Sequence, residues 1–520
     1  MPWHLPTPLL LLCLSLASAT QQPNIVFLLS DDQDLLLGSL NFMPSTQKLL
    51  IQQGTTLANH FTSTPVCCPS RSSIITGRFP HNYPQIHPTQ KTSCLDPTHD
   101  NDKLSVFESL HNAGYRVGLF GKHMNAGGMG PYCPKDKHSQ GRMPAGIDKY
   151  LGMCPDTCYQ DCVFAKGEKY GGQTDWVKPK DHAGYHTSII GNRTLQFVRD
   201  TANAGVPFFV HVSPHAPHLP CTPAPWYVDT PIKGRAPRNL AWNKSSPDKH
   251  WMVSEQPPLT ESDAQELDGI FVNRSRTLLS VDDIVHDVVS LLKELDIDNN
   301  TFVVYTSDHG FHLGSYRLGA AKRQIYDTDL RVPLLVRGPH IAQNATVSIL
   351  SSHVDLAPTF LDMAGISSDP TMDGRSLLPS LLQGLNSSRE VDHQVEDVHN
   401  QKKVKPEWRT QIYVEYQGVG TVGRDVLGRV QRGPNNTFIG IRRQKFHMDV
   451  LYSEFDDSNQ DFSFETPGFV EAYDFRMDPS QLVNVAGSEK PSVVEEWRES
   501  LHQMLNCSGS AEGVVGSCFV

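Results

Sequence analysis

From Asn24 to about Arg337 the sequence alternates short apolar stretches with segments of helical periodicity. This alternation constrains the fold more than any other feature. It is typical of an α/β domain in which helices flank a large, mostly parallel sheet. The apolar stretches predict five strands: Asn24–Leu29, Arg116–Phe120, Pro207–Val212, Phe302–Tyr305 and Val332–Val336.

One helix is well defined by its sequence pattern. Ser280 is a suitable N-cap, Asp282 and Asp283 suit the first turn, and apolar residues recur at helical spacing. The helix leads through residues 296–300 into the predicted strand Phe302–Tyr305. A step from helix to strand of this kind is typical of wound sheets.

The pattern changes after the alternating part. Segments 354–364 and 376–382 predict helices, and 386–408 is polar without periodicity, which indicates a linker or loop. We therefore expect a large domain over 20–385 and a smaller C-terminal α+β subdomain over 409–520. The elements predicted there are strands at Gln411–Tyr416 and Phe438–Ile441 and a helix at Val493–Leu505.

The N-terminus has the pattern of a signal peptide over residues 1–19. Leu9–Leu16 is apolar, and Ala17-Ser18-Ala19 is a small-residue cleavage site. The apolar run is shorter than the roughly 20 residues that span a bilayer, and no later stretch is long enough. We therefore expect a secreted chain without a membrane anchor.

Sequons and cysteines support a secretory compartment. Eight N-x-S/T sequons together favour glycosylation; they lie at Asn192, Asn243, Asn273, Asn299, Asn344, Asn386, Asn435 and Asn506. Of the eleven cysteines, six are disulfide candidates: Cys133, Cys154, Cys158, Cys162, Cys507 and Cys518. A zinc site among the first four is the alternative.

The net charge of −11 argues against nucleic-acid binding. An anionic substrate would therefore need a local basic pocket. The 23 histidines would gain positive charge near pH ~5, which suits an acidic organelle.

The residues that follow the predicted strands carry most of the reactive groups. They are Ser30–Asp34, Gly121–Asn125, Ser213–His218 and Ser307–Gly310. In open α/β sheets, ligands bind at the carboxyl ends of the strands, so we expect these groups to meet there. Asp31, Asp32 and Asp308 supply the oxygen ligands that calcium or magnesium prefers, and no EF-hand loop is present. The alternative is that these aspartates cap helices or end strands.

The most specific element is Pro65–Arg71, Pro-Val-Cys-Cys-Pro-Ser-Arg, followed by Thr76-Gly77-Arg78. It resembles the C-x-P-S-R signature of the sulfatase family, whose fold is alkaline-phosphatase-like. The resemblance implies that Cys67 is converted to formylglycine by the formylglycine-generating enzyme. The alternative is that Cys67 and Cys68 form a vicinal pair in a disulfide or in the core.

The implied modification makes chemical sense. A thiolate that attacked sulfate would leave a thiosulfate ester with no easy exit. A hydrated aldehyde offers two hydroxyls: one attacks sulfur, and the other then collapses to the aldehyde and expels sulfate.

The resemblance also assigns metal ligands and roles. Asp31, Asp32, Asp308 and His309 match calcium ligands, and the modified Cys67 completes the set. Many sulfatases have asparagine at the position of His309, although histidine occurs there too. The other matched residues are Arg71, which stabilises the hydrate, Lys122 and Lys322, which hold sulfate oxygens, and His218, which lies near the leaving oxygen. Lys322 or His218 is the expected proton donor.

The chain departs from the family pattern after Lys122. Many sulfatases have a histidine two or three residues later, where this chain has Met124 and Asn125. Either His123 replaces that histidine as the base, or Asn125 polarises the hydrate and another base acts. For His215 and His312 we expect supporting or structural roles.

Further segments resemble the N-acetylglucosamine-6-sulfatase branch. They are Pro23–Val26 running into Asp31–Asp34, Asp248–Trp251, Leu278–Asp283, Lys322–Tyr326, Arg331–Pro339 and Val414–Gly418. That branch removes 6-O-sulfate from terminal glucosamine of heparan and keratan sulfate in lysosomes. Extracellular endosulfatases share several segments but carry a long basic insertion, to which only Lys402, Lys403 and Lys405 compare.

The resemblance thus implies an exo-acting lysosomal enzyme whose partner is a sulfated glycosaminoglycan oligosaccharide. The alternatives are a secreted endosulfatase, an arylsulfatase, or an inactive glycan-binding protein of the same fold. A phosphohydrolase of the same superfamily would need a Ser or Thr nucleophile and two zinc sites, and Cys67 argues against it. We leave open whether the protein is a monomer or a homodimer.

Overall fold

The computed structural model describes residues 22–520 except 85–93, 97–100, 126–130, 155–156, 383–407, 419–421, 434, 446, 458–461, 511–515 and 519–520. The predicted signal peptide, and all but residue 408 of the predicted linker, lie outside the described residues. None of the helices in the described ranges combines the length and apolar composition that a bilayer-spanning helix needs.

An eleven-stranded mixed sheet forms the framework of the molecule, in the order β13-β2-β12-β9-β1-β8-β3-β5-β6-β7-β4. Its strands are β1 Asn24–Ser30, β2 Thr55–Phe61, β3 Arg116–Gly121, β4 Gly141–Arg142, β5 Lys149–Met153, β6 Phe164–Gly167, β7 Gln173–Val177, β8 Phe208–Ser213, β9 Thr301–Ser307, β12 Leu334–Arg337 and β13 Ala345–Ser352. A two-stranded sheet pairs β10 His312–Leu313 with β11 Ala320–Ala321. The central run β9-β1-β8-β3-β5 is parallel throughout.

All five predicted strands are confirmed to within two residues at each end. The fifth, predicted as Val332–Val336, is β12 Leu334–Arg337. It runs antiparallel to both neighbours, β9 and β2. The sheet is therefore parallel at its centre and mixed towards its edges, which confirms the predicted α/β class.

Two helical layers cover the sheet. The helices are α1 Pro44–Thr46, α2 Cys67–Thr76, α3 Val106–Asn112, α4 His186–Asn203, α5 Trp251–Ser254, α6 Glu261–Glu294, α7 Asp327–Leu330, α8 Leu356–Met363, α9 Leu378–Leu382 and α10 Pro491–Leu505. Ile25, Phe27 and Leu29 of β1 pack with α3 and α8, whereas Val26 and Leu28 pack with α4 and α6. The alternation follows from the two-residue period of a strand.

The predicted start of the long helix at Ser280 is wrong. The helix begins at Glu261 and runs for 34 residues, so Ser280 lies inside it. Thr260 is the actual N-cap: its side chain accepts from the Asp263 N–H, and the Asp263 carboxylate accepts from the Thr260 N–H. This capping box satisfies two otherwise unpaired donors, which explains where the helix starts.

The predicted C-terminal α+β subdomain is confirmed as a separate antiparallel sheet of order β14-β17-β18-β19. Its strands are β14 Gln411–Tyr416, β17 Thr437–Lys445, β18 Met448–Asp456 and β19 Phe469–Asp474; β15 Gly423–Arg424 and β16 Val430–Arg432 form a small hairpin. Helix α10 packs on this sheet through Trp497, Leu501 and Met504.

The cysteines pair as Cys133–Cys154, Cys158–Cys162 and Cys507–Cys518, with a fourth disulfide Cys68–Cys94. The zinc alternative for the first four cysteines is therefore wrong, because a disulfide leaves no thiolate to bind a metal. Cys67 and Cys221 are free and buried.

Candidate active site

The adjacent parallel strands β9, β1, β8 and β3 end at one edge of the sheet, and the residues that follow them meet there. β1 leads into Asp31 and Asp32, and β9 into Asp308 and His309. The other two strands deliver the basic groups, namely Lys122 after β3 and His215 and His218 after β8. Lys322 reaches the same place from the segment after β11.

Cys67 is the first residue of α2 and lies 2% exposed at its N-terminus. The positive end of a helix favours negative charge at this position. Arg71 lies four residues later and hence on the same face, beneath Cys67. Cys68 instead forms the disulfide with Cys94, so the two cysteines do not form a vicinal pair.

Four side chains form a compact cluster of potential metal ligands. One ligand atom from each of Asp31, Asp32, Cys67 and His309 lies within 4.8 Å of the others. The Cys67 Sγ lies 3.3 Å from His309 Nε2, 3.7 Å from Asp31 Oδ1 and 4.0 Å from Asp32 Oδ1. His309 Nδ1 lies 2.9 Å from the Gly310 carbonyl, which orients Nε2 towards the cluster.

Asp308 lies beside this cluster. Its Oδ2 accepts from Arg71 Nε at 2.9 Å, and its Oδ1 accepts from the backbone N–H groups of Asp32 and His309 at 3.0 Å. The same Oδ1 is 3.6 Å from His309 Nε2. Burial raises the pKa of Asp308 to about 6, although His309 and Arg71 oppose this.

Two lysines neutralise the paired aspartates. Lys122 Nζ lies 2.7 Å from Asp31 Oδ2, and Lys322 Nζ lies 2.5 and 2.7 Å from the two oxygens of Asp32. Burial raises the pKa of the Asp31 carboxyl, but Lys122, His218 and Arg71 together outweigh burial and hold it well below its usual value. Burial likewise raises the pKa of the Cys67 thiol, yet the two lysines bring it down to about 6.

The histidines after β8 lie beside the aspartates. His218 Nε2 is 3.7 Å from Asp32 Oδ2, and its Nδ1 lies 2.6 Å from the Leu219 carbonyl. Burial lowers the pKa of His218 to about 4. His215 is fully buried with Nδ1 2.8 Å from Asp31 Oδ2, so it supports a residue of the cluster, as expected.

The residues after Lys122 occupy other surroundings. His123 lies among the rings of Phe107, Tyr132 and Tyr150, where burial lowers its pKa to about 4. No contact of His123 or Asn125 with Cys67 is present among the described residues. His312 pairs with Asp329 at 2.9 Å, which fits its expected structural role.

Three supporting residues were not predicted from the sequence. Ser213 Oγ accepts from Arg71 Nη1 at 2.7 Å, and Ser70 Oγ lies 2.9 Å from His353 Nδ1 and donates to the Asp308 carbonyl. Ser70 and Ser213 stand in segments that the motif and strand ends had already marked. His353 follows β13 and carries no local signal, because only the fold brings it to α2.

The cluster suits a hard divalent cation. Buried carboxylates and one imidazole nitrogen converge, and the pKa of His309 is raised to about 9 by Asp308 and Cys67 although burial lowers it. The anionic neighbours that raise this pKa would equally attract a divalent cation. Sulfur is a soft ligand that calcium does not favour, so the set fits calcium better if residue 67 offers oxygen.

The sulfatase family model matches residues 23–366, about two thirds of the chain. The chain belongs to the sulfatase family. This sulfatase is therefore a sulfuric ester hydrolase, in agreement with the signature at Cys67.

Several relatives resemble the sulfatase over most of its length. It is 33% identical to the N-acetylglucosamine-6-sulfatase of Homo sapiens, over 98% of this chain and 91% of that protein. It is 36% identical to the extracellular sulfatase SULF-1 homolog of Drosophila melanogaster, over 70% of this chain but only 31% of that protein.

Solved structures share the fold at lower identity. BT4656, in complex with its substrate D-glucosamine-2-N,6-O-disulfate, has a TM-score of 0.70 and 22% identity, covering 93% of the sulfatase and 97% of that chain. The phosphonate monoester hydrolase of Agrobacterium radiobacter has a TM-score of 0.63 and 19% identity, covering 92% and 95%. These similarities show the alkaline-phosphatase-like fold.

Proposed function

We propose that the sulfatase removes 6-O-sulfate from terminal N-acetylglucosamine of heparan or keratan sulfate, using formylglycine at position 67 and one calcium ion. One observation carries the proposal. Cys67 stands at a helix N-terminus within 4.0 Å of Asp31, Asp32 and His309, in a site that Lys122 and Lys322 also enter.

The proposed calcium site consists of Asp31, Asp32, Asp308 and His309 together with an oxygen of residue 67. Bound there, calcium would lower the pKa of a hydroxyl on residue 67 and screen sulfate oxygens. Formylglycine in its hydrated form would supply that hydroxyl as the nucleophile.

The chain's own residues have the remaining roles in this proposal. Lys122 and Lys322 bind sulfate oxygens and hold them in line with residue 67. Arg71, fixed by Asp308 and Ser213, stabilises the hydrate. His218, 3.7 Å from Asp32, protonates the departing sugar oxygen; the negative charge of a bound sulfate would raise its pKa from about 4 and let it hold that proton.

The base that removes the proton of the second hydroxyl stays unassigned among the described residues. The sequence offered two possibilities: His123 as the base, or Asn125 polarising the hydrate while another base acts. The aromatic surroundings of His123 do not support it as that base.

Relatives and charge support the choice of substrate. N-acetylglucosamine-6-sulfatases match nearly the whole chain, and BT4656 binds a 6-O-sulfated glucosamine. The net charge of −11 disfavours sliding along a polyanion, which suits attack at a chain end. The predicted signal peptide and the sequons suit a lysosomal destination, with secretion as the alternative.

The nucleophile is tested by Cys67→Ala, with Cys221→Ser as the matched control because Cys221 is also a free, buried cysteine. We expect Cys67→Ala to lose all measurable sulfate release, while Cys221→Ser retains it. Mass spectrometry of the peptide that contains residue 67 should show the aldehyde in place of the thiol. A fully active protein with an intact thiol would refute this chemistry.

The substrate is tested with defined sulfated oligosaccharides. We expect release of 6-O-sulfate from a non-reducing terminal glucosamine and none from internal residues. Release from internal residues would favour an endosulfatase, which the similarity to the Drosophila melanogaster protein supports as the second candidate. Removal of 2-O- or N-sulfate instead would refute the 6-O assignment.

The metal is tested by removing calcium with a chelator. We expect the melting temperature and the activity to fall together and both to recover with calcium, because a ligand that binds only the native state stabilises it, by about 2.7 kcal/mol at 100 Kd. Recovery with magnesium alone would refute the choice of calcium.

A further inference from the structure

Arg274 in the middle of α6 touches three loops of the active site at once. Its Nη2 donates to the Asp32 carbonyl at 2.7 Å, and its Nη1 donates to the Pro217 carbonyl at 3.2 Å. Its guanidinium also lies over the ring of Phe311, 3.9 Å from the centroid. These contacts reach the loops that carry the aspartate pair, His218 and His309.

Asp34 completes this arrangement. It belongs to the acidic run after β1, but its carboxylate does not join the cluster around Cys67. Instead, Oδ1 accepts from Arg274 Nη2 at 2.9 Å, and Oδ2 accepts from the Ser39 N–H at 3.2 Å. The aspartate thus balances a buried guanidinium.

The pair is built as a rigid support. Both side chains are 4% exposed, and Arg274 lies on a long helix that packs against α4. A guanidinium offers planar, fixed donors, so its contacts restrain direction as well as distance. The two carbonyls that it holds belong to Asp32 itself and to the residue before His218.

We propose that Arg274, with Asp34, is a positioning residue: it holds the three loops in the spacing that the calcium ligands and His218 require. The inference rests on the proposed calcium site, although the contacts themselves do not. Partners of metal ligands typically influence metal affinity or activity by about 10–100-fold when they are removed.

Two variants test the proposal without leaving a lone buried charge. The double variant Arg274→Met/Asp34→Asn removes the charge pair, and Arg274→Lys keeps the charge but loses the planar fork. Arg276→Lys is the matched control, since Arg276 lies on the same helix and its Nε donates to the Thr230 carbonyl outside the site. The readouts are the calcium concentration at half-maximal shift of melting temperature, and kcat and KM on an aryl sulfate.

In the double variant we expect the calcium concentration at half-maximal shift of the melting temperature (the calcium midpoint) to rise by about 10–100-fold. We expect kcat to fall by about the same factor and KM to change less. We expect Arg274→Lys to recover part of both losses and Arg276→Lys to match the unaltered protein. A double variant that melts at a lower temperature but keeps its calcium midpoint and kcat within about twofold would overturn the proposal. If the unaltered protein shows no calcium-dependent shift, the proposed metal site is wrong instead.

Discussion

At the residue scale, the site balances three buried cations with three buried carboxylates. Lys122 pairs with Asp31, and Lys322 with Asp32. Arg71 pairs with Asp308. Breaking one buried pair by removing a single partner typically costs about 3–5 kcal/mol, because the remaining charge stays buried and unpaired. Activity lost in a single variant at these positions must therefore be compared with the fraction of protein that folds.

His218 offers a prediction free of that complication, since its closest carboxylate oxygen is 3.7 Å away. We expect His218→Asn to slow release of sulfate from the sugar by about 10²–10⁴-fold, the usual contribution of a general acid. We expect a much smaller loss with a nitrophenyl sulfate, because nitrophenolate departs without a proton. Steady-state kinetics on the two substrates measures the difference.

The companion variant is Lys322→Met, which should slow both substrates alike because Lys322 is proposed to bind the sulfate group that they share. Equal losses on both substrates in His218→Asn would contradict the role of His218. The proton donor would then be Lys322, the other candidate from the sequence.

At the element scale, the N-terminus of α6 gives a stability prediction. Thr260→Ala removes the acceptor for the Asp263 N–H and should lower the free energy of unfolding by about 1 kcal/mol. Ser280→Ala, at the position that the sequence suggested as the cap, should change it less, because Ser280 lies mid-helix. Urea unfolding of the two variants provides the comparison. The reverse order of stabilities would contradict the assigned helix start.

The elements also show which parts of the fold could be predicted from the sequence. Strand ends and the Cys67 motif are local signals, so the strands and the group that meets at their ends were predictable. The start of α6 was missed because apolar periodicity is clear only after Leu278, while the capping box lies at Thr260. The direction of β12 depends on its pairing with β2 and β9, which no local pattern encodes.

The contacts of Arg274 with the active-site loops could not be predicted from the sequence for the same reason. Arg274 lies 240 residues from Asp34 in the chain, and nothing local in the sequence links it to the strand-end segment that contains Asp34. Only the packing of α6 beside β1 and β8 brings the two together. Residues that hold a site are thus harder to predict than residues that a family motif names.

At the scale of the whole molecule, several histidines are buried as neutral groups. Burial lowers the pKa of His60 and His186 to about 3, and that of His211 and His353 well below its usual value. These residues do not gain charge near pH ~5 in the native state. These four residues therefore do not contribute to the gain of positive charge that the sequence led us to expect in an acidic organelle.

His186 makes this burial measurable. Neither of its ring nitrogens has a hydrogen-bond partner among the described residues, and it stacks on Phe164. The unfolded chain binds a proton near pH 6.5 and the native state only near pH 3, so stability is lost as the pH falls below about 6.5. When the pH is lowered from about 7 to about 5, this residue should lower the free energy of unfolding by about 2 kcal/mol.

The matching variant is His186→Leu, which keeps the site apolar and removes the titration. Urea unfolding at both pH values measures the free energy of unfolding. From about pH 7 to about pH 5 the variant should lose about 2 kcal/mol less of it than the unaltered protein does. An identical loss of unfolding free energy in both proteins would contradict the burial of His186 as a neutral group.

The burial of Cys67 has a consequence for the biosynthesis of the protein. In the finished molecule the side chain lies beneath carboxylates, lysines and a helix end, and an enzyme cannot reach it. The proposed conversion of this residue would therefore have to happen on the newly made chain, before the sheet closes over it. A copy that folded first would keep its thiol, so under this proposal the active fraction would be decided during synthesis.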